Sequence, residues 1–327
     1  MRALTFDQPA PDTGSTRVAE VDVPAPGPGE VAIEVKAAGI NFIDVMARRG
    51  DPAYASSWPF VPGLEAAGTV RELGAGVAGP AVGTPVAAFT RSGGLADVVR
   101  VRAELVVPIP DGVSFEQAAV APGTFTTAAL LVQQSGRLRA GETLLMQSAA
   151  GGVGQAVAAL ARRGGAKTLI GIVGSPTRVA AAEKSGYDVV LTRGADLSER
   201  VRDLTGGRGV DVILDSQGTE QVDADLDMLA AGGRVVLFGN AGGAPLSDLP
   251  QPGRLFAGNA SIGGFSMSAM SVHAPELIGA ALREVLELVA EGELELEFTT
   301  IDGLAAAADA QQALAEGRGA GKYVVRL

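Results

Sequence analysis

The sequence predicts an α/β fold in which a doubly wound parallel sheet is joined to a second, β-rich domain. From about Ser114 onward, short apolar runs alternate with helical patterns, which implies a parallel sheet with helices on both faces. Before that point, short strands follow one another between Gly and Pro turns, as in a small barrel. Residues 322–327 return to a strand pattern, so we expect the parallel sheet to be inserted into the β-rich domain.

The strands of the β-rich domain are predicted from the alternation of apolar and polar residues. Residues 30–36 show this period of two and follow the turn sequence Pro26-Gly27-Pro28-Gly29. Similar runs predict strands over residues 68–73, 84–89 and 96–101. Strands at this spacing are typical of a barrel rather than of an open sheet.

Strands and helices then alternate along the rest of the chain. Strands are predicted at 144–147, 168–173, 188–191, 210–214, 234–238 and 259–264, and helices at 152–163, 176–185, 197–204, 224–230 and 275–291. Residues 115–135 have a helical pattern that we expect to break near Pro122 and Gly123. We therefore predict a parallel-sheet domain over 121–264 and a β-rich domain over 1–120 and 265–327.

The composition excludes several kinds of site. The 327 residues carry a net charge of -11, which argues against nucleic acid or an anionic membrane as a main partner. The chain has no cysteine and one histidine, so we expect no disulfide, no thiol nucleophile and no metal site of the usual Cys/His kind. That histidine, His273, is predicted to lie at the surface. No apolar run reaches the ~18 residues that cross a membrane, and we expect a soluble, cytoplasmic protein.

A turn of small residues between an apolar run and a helical pattern carries the strongest chemical signal. It contains the sequence Ala149-Ala150-Gly151-Gly152-Val153-Gly154. Gly151 would let the backbone approach a pyrophosphate, and Gly154 would let the helix pack closely on the strand. The N–H groups at the helix start would bind the phosphates. The predicted dinucleotide-binding residues here are Ala150, Gly151, Gly152, Val153 and Gly154.

The turn after the next strand predicts which dinucleotide binds. An NAD site has Asp or Glu there for the ribose 2′-hydroxyl, but residues 173–178 contain no acid. Ser175 and Arg178 stand there instead, and a hydroxyl and a guanidinium suit a 2′-phosphate, which favours NADPH. Ser175 equally fits the cap of a following helix. Ligands bind beyond the carboxyl ends of parallel strands, and the further candidates there are Gly174, Arg193, Phe238, Gly239 and Asn240.

With these motifs the chain resembles the zinc-free medium-chain dehydrogenases/reductases, specifically their quinone oxidoreductase (zeta-crystallin-like) group. The segments that carry the resemblance are residues 38–44, 62–70, 93–97, 126–128, 149–154, 205–211 and 321–322. The resemblance implies a GroES-like catalytic domain, a Rossmann domain, NADPH and a homodimer joined through the last Rossmann strand, residues 260–264. The chain departs from the family pattern at Thr192, where tyrosine is common, at Arg178, where lysine is common, and at Gln217, where valine is usual.

The resemblance also implies the catalytic candidates. Asn41 would contact the nicotinamide ribose or the substrate oxygen, Tyr54 would lie over the substrate, and Thr127 would approach the nicotinamide. The alternatives are a loop Asn bonded to its own backbone, a packed surface Tyr and a Thr inside a helix. Phe265, Ser266 and Lys322 are further cofactor candidates, although Lys322 also fits an exposed lysine at the start of a strand. Asp44 and Glu65 are expected to be structural charges.

Three functions stay open at this point. The first is an NADPH-dependent quinone oxidoreductase, whose acceptor is electrophilic through its own conjugation and needs no metal. The second is a 2-enoyl reductase acting on an enone or enoyl thioester, for which Arg48 and Arg49 could supply positive charge at the mouth of the cleft or simply end a helix at the surface. The third, from a different class, is a non-catalytic NADPH-binding sensor or structural protein.

Overall fold

The computed structural model describes residues 1–243, 249–250, 252–318 and 321–327. The chain divides into two compact units. The first, called the β-rich unit, comprises Met1–Thr126 and Ser268–Leu327, and the second, the parallel-sheet unit, comprises Thr127–Met267. The sequence predicts these borders a few residues earlier, after residues 120 and 264.

The described strands and helices are numbered in chain order. The strands are β1 (Arg2–Phe6), β2 (Thr16–Glu20), β3 (Glu30–Ile40), β4 (Glu65–Leu73), β5 (Pro85–Phe89), β6 (Val98–Arg102), β7 (Val106–Pro108), β8 (Thr143–Gln147), β9 (Thr168–Val173), β10 (Val189–Thr192), β11 (Val210–Asp215), β12 (Leu229–Leu237), β13 (Ser261–Gly264), β14 (Thr299–Asp302) and β15 (Tyr323–Arg326). The helices are α1 (Phe42–Arg48), α2 (Phe115–Val120), α3 (Thr126–Leu130), α4 (Gly152–Arg163), α5 (Val179–Lys184), α6 (Leu197–Leu204), α7 (Val222–Met228), α8 (Pro252–Gly258), α9 (Met267–His273), α10 (Pro275–Ala290) and α11 (Leu304–Ala315).

The β-rich unit is built around β3. Its sheet has the order β14-β15-β3-β4-β5-β7, and β6 also pairs with β3. Along β3, the alternate residues Val31, Ile33 and Val35 are buried, as the period of two predicts. The last strand, β15, pairs antiparallel with β3, which confirms that the β-rich fold resumes at the end of the chain.

The parallel-sheet unit has the strand order β10-β9-β8-β11-β12-β13, with every neighbouring pair parallel. This is the order of a doubly wound Rossmann sheet, in which the direction of winding reverses between the first and fourth strands, here β8 and β11. Leu145, Ile170, Ile213 and Val235 form the core between the sheet and its helices. The predicted fold class is therefore confirmed.

The α-helix of segment 115–135 is interrupted near Pro122 and Gly123, as predicted, but the chain does not leave the helical path. It continues from α2 through a π-helical turn at Ala121–Phe125 into α3. Proline removes a donor and crowds the preceding turn of an α-helix, and the wider π turn accommodates Pro122 without ending the helix. No helix in the described parts of the chain is long and apolar enough to cross a membrane.

Candidate functional site

The glycine turn lies at the carboxyl end of β8 and leads directly into α4. Gly151 is the N-cap of this helix, and no side chain caps it. The first N–H groups of α4 therefore point to a ligand position without competition from a capping side chain. A Cβ atom on Gly154 would lie 2.4 Å from the carbonyl oxygen of Ala149. The absence of a side chain at Gly154 is thus what allows α4 to start so close to β8.

The turn after β9 presents a hydroxyl and a guanidinium to the same end of the sheet. The Ser175 hydroxyl accepts a hydrogen bond from the backbone N–H of Thr177 at 3.3 Å and so caps the short helical turn Pro176–Arg178. Arg178 is half-buried, and its Nη2 donates to the carbonyl oxygen of Ala150 at 3.2 Å. The structure therefore brings Arg178 against the glycine turn, and its contact with a 2′-phosphate stays a prediction.

Arg193 interacts with a set of buried polar groups whose role is not predicted from the sequence. Its Nη2 donates to Oε1 of Gln147 at 3.0 Å, and it interacts electrostatically with Asp215 and Asp225. Burial lowers the pKa of this guanidinium. Arg193 is half-buried and not a solvated surface charge; its contact with the adenosine phosphate stays a prediction.

Asp215 and Asp225 form a buried carboxyl pair below the carboxyl end of β11. Both residues are fully buried. The backbone N–H of Gln217 donates to Asp215 at 2.5 Å, and the Gln147 amide donates to Asp225 at 3.2 Å. Desolvation raises the pKa of Asp215 to about 6, and desolvation together with the nearby charge of Asp215 raises the pKa of Asp225. An apolar strand that ends in Asp is the only signal of this pair in the sequence.

Gln217, one of the departures from the family pattern, connects two turns of the parallel-sheet unit. Its Nε2 donates to the Ser148 hydroxyl at 2.7 Å. Ser148 precedes the glycine turn and has a left-handed φ of 60°, a conformation that costs energy for any residue other than glycine. The bond from Gln217 therefore helps to hold the turn that carries the helix start.

Apart from Thr127, the other predicted residues of this unit follow the strands as expected, and their functional roles stay predictions. A Cβ atom on Gly239 would lie 2.8 Å from the carbonyl oxygen of Ser216, so this turn also needs glycine. Phe265 is buried and its N–H donates to Leu237 at 2.8 Å. The remaining members are Thr127, buried in α3, Gly174 and Ser266, both exposed, and Phe238 and Asn240, both half-buried.

The β-rich unit brings Asn41 and Lys322 together around a carboxylate. Nζ of Lys322 donates to Oδ1 of Asn41 at 2.6 Å and to the carbonyl oxygen of Ile40 at 2.8 Å, and it forms an ion pair with Glu65. Nδ2 of Asn41 donates to Oε1 of Glu65 at 2.9 Å. Glu65 is 0% exposed and the side chain of Lys322 only 4%, so the alternative of an exposed lysine is wrong.

The register of three strands explains why these distant residues meet. Tyr323, the residue after Lys322, pairs with Ile40, and Gly39 pairs with Glu65 on the other side of β3. A Cβ atom at Gly39 would lie 2.3 Å from a Glu65 oxygen, and one at Gly123 would lie 2.9 Å from the other. The backbone N–H of Gly123 also donates to Glu65 at 2.6 Å. Two glycines thus make room for this carboxylate.

Asp44 holds the loop that presents Asn41. Its carboxylate accepts hydrogen bonds from the backbone N–H of Asn41 at 2.8 Å and of Gly63 at 3.0 Å. Burial raises the pKa of Asp44 to about 6 despite these bonds. Asp44 thus holds the backbone of Asn41, and Glu65 holds its side-chain amide. The two carboxyl groups do not form an acid–base pair with each other.

Tyr54 lies beside a cavity of about 460 Å³ within the β-rich unit. Burial raises the pKa of this phenol, so it stays protonated at neutral pH. The apolar part of the wall includes Ile43, Phe60 and Phe89. Arg48 does not reach the cavity: it is fully buried, and its Nη2 donates to Gln312 at 2.9 Å.

Comparison with known proteins identifies both units. Residues 27–111 match the alcohol dehydrogenase GroES-like domain, and residues 152–290 match the zinc-binding dehydrogenase domain. A quinone oxidoreductase of Pseudomonas aeruginosa is 35% identical over 92% of each chain. The Escherichia coli quinone oxidoreductase complexed with NADPH superposes with a TM-score of 0.89 and 29% identity over the whole of both chains. The pikromycin polyketide synthase component PikAII of Streptomyces venezuelae is 35% identical over 94% of this chain, which spans 8% of that protein.

The second matched domain is named for zinc binding, but this chain lacks the residues of a zinc site of the Cys/His kind. The chain has no cysteine. His273 is exposed at the end of α9. In the described ranges, no group of three or more His, Asp or Glu side chains is arranged to hold a metal ion. The donor set therefore does not fit a zinc site of the Cys/His kind.

Proposed function

The chain belongs to the quinone oxidoreductase group of the medium-chain dehydrogenases/reductases, and we propose that it is an NADPH-dependent oxidoreductase that reduces a quinone or another conjugated acceptor without a metal. The observation that carries the proposal is the uncapped start of α4 with Arg178 bonded to the turn before it. The helix start would bind the pyrophosphate through its N–H groups.

Arg178 and Ser175 support NADPH rather than NADH. No carboxylate stands after β9 to accept a hydrogen bond from a ribose 2′-hydroxyl. A guanidinium offers charge and several donors to a 2′-phosphate. The Ser175 hydroxyl caps a turn through one acceptor position and retains the capacity for a second hydrogen bond. The relation to a quinone oxidoreductase solved with NADPH supports the same choice.

Bound NADPH would supply a hydride, and side chains of the β-rich unit would bind the acceptor and donate a proton to it. Addition of hydride to a carbon conjugated to a carbonyl moves an electron pair to the carbonyl oxygen, and that oxygen needs a donor. The Asn41 amide has its oxygen bonded to Lys322 and one of its two hydrogens bonded to Glu65. We assign the second hydrogen to the acceptor oxygen or to the nicotinamide ribose. Tyr54 lines the cavity and is protonated at neutral pH, so it would donate its phenolic proton to the enolate and regain one from solvent.

A 2-enoyl reductase is the second candidate function. The match to the polyketide synthase component covers 94% of this chain at the same identity as the match to the Pseudomonas quinone oxidoreductase. A quinone and an enoyl thioester both accept hydride at a carbon conjugated to a carbonyl, so the same residues serve either reaction.

A homodimer through β13 is part of the proposal. This strand lies at the edge of the parallel sheet, and its residues Ser261, Gly263 and Gly264 are exposed. An open edge of this kind is suited to continue the sheet into a second copy. Sedimentation velocity of the purified protein should give the mass of two chains; a single 32.9 kDa species would refute it.

The function is tested by following the loss of nicotinamide absorbance with a panel of acceptors. The panel contains 1,4-benzoquinone, 9,10-phenanthrenequinone, a simple enone and a crotonyl thioester, each offered with NADPH and with NADH. Oxidation of NADPH by quinones alone supports the first candidate, and oxidation only by the enone or thioester supports the second. Tight binding of NADPH with no oxidation by any acceptor would favour the non-catalytic alternative.

A further inference from the structure

The cavity beside Tyr54 combines an apolar wall with an excess of positive charge. Besides the aromatic residues described above, its lining includes the three arginines Arg91, Arg100 and Arg102. The whole chain has 37 acidic and 26 basic residues. Three arginines at one cavity are therefore unexpected in a chain with a negative net charge, and they need a local explanation.

Two of these arginines have no anionic partner. Arg102 donates to Glu104 at 3.1 Å and to the carbonyl oxygen of Ser271 at 3.3 Å. Arg91 and Arg100 form no ion pair within the part of the chain that the structure describes. Guanidinium groups beside a cavity are suited to bind a phosphate or carboxylate, which they contact through several parallel hydrogen bonds.

The two acidic residues of the lining do not neutralise this charge. Glu30 accepts a hydrogen bond from the backbone N–H of Gly27 at 2.9 Å, and it pairs across the sheet with Arg102. Asp44 accepts its two backbone hydrogen bonds within the loop of Asn41. Both carboxylates are engaged by the chain itself, and neither bonds to Arg91 or Arg100.

The backbone supports a specific placement of the two free guanidinium groups. Arg91 has a left-handed φ of 65°, a conformation that is strained for a residue with a side chain. Glycine would adopt this conformation without that strain, yet the turn carries arginine. Arg100 and Arg102 lie two residues apart on β6, so their side chains leave the sheet on the same side. One loop and one strand thus direct positive charge to the same cavity.

We propose that this cavity binds an acceptor with an anionic group, specifically a conjugated acyl thioester of a phosphate-bearing carrier, and that Arg91 and Arg100 bind its phosphate. The proposal rests on the proposed reductase function and narrows its acceptor. The apolar wall takes the conjugated acyl chain beside Tyr54, while the guanidinium groups take the phosphate. A quinone has no group for them to bind.

The test compares two thioesters that share the reacting group. Crotonyl coenzyme A carries phosphates, and the crotonyl thioester of N-acetylcysteamine carries none. The wild-type protein should reduce the coenzyme A thioester with a kcat/KM at least about tenfold higher, through KM, because each charge-assisted contact is worth about a factor of ten. Added salt should lower this preference and leave the uncharged thioester unaffected.

The variant R91Q/R100Q should lose most of this preference and keep its kcat/KM for the uncharged thioester. The matched control is Arg71→Gln, which removes an exposed arginine of β4 that does not line the cavity and should change neither value. Equal kcat/KM for the two thioesters in the wild type, or an equal loss for both in R91Q/R100Q, would overturn the proposal. Circular dichroism spectra would check that the variants are folded.

Equilibrium binding separates this proposal from the proposed function. Isothermal titration with crotonyl coenzyme A should show binding to the wild type and about tenfold weaker binding to R91Q/R100Q. Oxidation of NADPH by quinones without binding of this thioester would refute the anionic acceptor and leave the reductase function intact. Binding of the thioester without oxidation of NADPH by any acceptor would refute the reductase function and leave the anion site intact.

Discussion

Each unit of the molecule buries one ionic cluster, and the two clusters differ in how completely they are paired. In the β-rich unit, Lys322 makes three polar contacts and both oxygens of Glu65 have partners. In the parallel-sheet unit, one oxygen of Asp215, one oxygen of Asp225 and Nε of Arg193 are buried without a hydrogen-bond partner. The charged groups of the first cluster thus have all their polar partners, whereas the second cluster contains buried polar atoms without one.

The difference shows what each cluster is suited to do. A saturated ion pair keeps one geometry, because every change of partner leaves a buried charge uncompensated. That property suits a group that orients the Asn41 amide. Two adjacent buried carboxyls oppose each other's ionisation, and burial raises the pKa of Asp215 to about 6. The second cluster therefore changes its charge with pH.

Removal of Lys322 should have the largest effect. In Lys322→Met the carboxylate of Glu65 stays buried without its counter-ion, which should cost about 3–5 kcal/mol of unfolding free energy. Urea unfolding measures this value. The control Lys36→Met removes a lysine whose side chain is 41% exposed and paired with Glu34, and it should cost about 0–1 kcal/mol. Equal losses in the two variants would contradict the saturated cluster.

The glycine that makes room for Glu65 should come next. In Gly39→Ala the new methyl group would lie 2.3 Å from a Glu65 oxygen in the central strand β3, so we expect a loss of about 1–3 kcal/mol from overpacking. Gly79→Ala, at an exposed loop position of the same unit, places the same group only in ordinary contact with Val77 at 3.4 Å and should stay within about 0.5 kcal/mol of the wild type. A Gly39→Ala variant with the unfolding free energy of the wild type would show that the Glu65 side chain can adopt another position.

The carboxyl pair should give a smaller effect that depends on pH. Burial raises the folded-state pKa of Asp215 from 3.8 to about 6, so between these values the folded protein binds protons more tightly than the unfolded chain. The contribution of the pair to stability is therefore present at low pH and is lost as the pH rises through about 6. Asp225→Asn removes the like charge, and its stability should increase relative to the wild type as the pH rises.

Thermal unfolding of the two proteins across this pH range measures the effect. A stability difference that stays constant with pH would mean that the pair does not titrate in the folded state.

The smallest effect on stability should come from Arg178, whose expected role is binding. Arg178→Gln should change the unfolding free energy by no more than about 0.5 kcal/mol while the KM for NADPH rises about tenfold, because one charge-assisted contact is lost. The KM for NADH should stay unchanged. Steady-state kinetics with both nucleotides measures this, and an equal rise for both would place Arg178 away from the 2′-phosphate.

The sequence predicts local features of this protein well. The bounds of α4, α6 and β9 agree with the predicted residues, because strong periodicity and a glycine turn mark them. The helix start at Gly151 and the arginine after β9 also follow from local spacing. These features depend on neighbours in the chain, which a single sequence shows.

Contacts between distant residues are what the sequence does not show. Asn41 and Lys322 are 281 positions apart, and their meeting depends on the pairing of β15 with β3. Arg48 is predicted from the sequence either at the mouth of the cleft or at an exposed helix end, but α11 packs against α1 and Gln312 binds its guanidinium. The alanine-rich sequence of α11 has a weak amphipathic pattern, so neither this helix nor the burial of Arg48 was predicted.

The most direct test of the account is a fluorescence titration of the purified protein with NADPH and, separately, with NADH. We expect NADPH to bind at least about tenfold more tightly, because Arg178 and Ser175 would contact its 2′-phosphate at the turn after β9. Equal affinity for the two nucleotides, or no binding of NADPH, would contradict it.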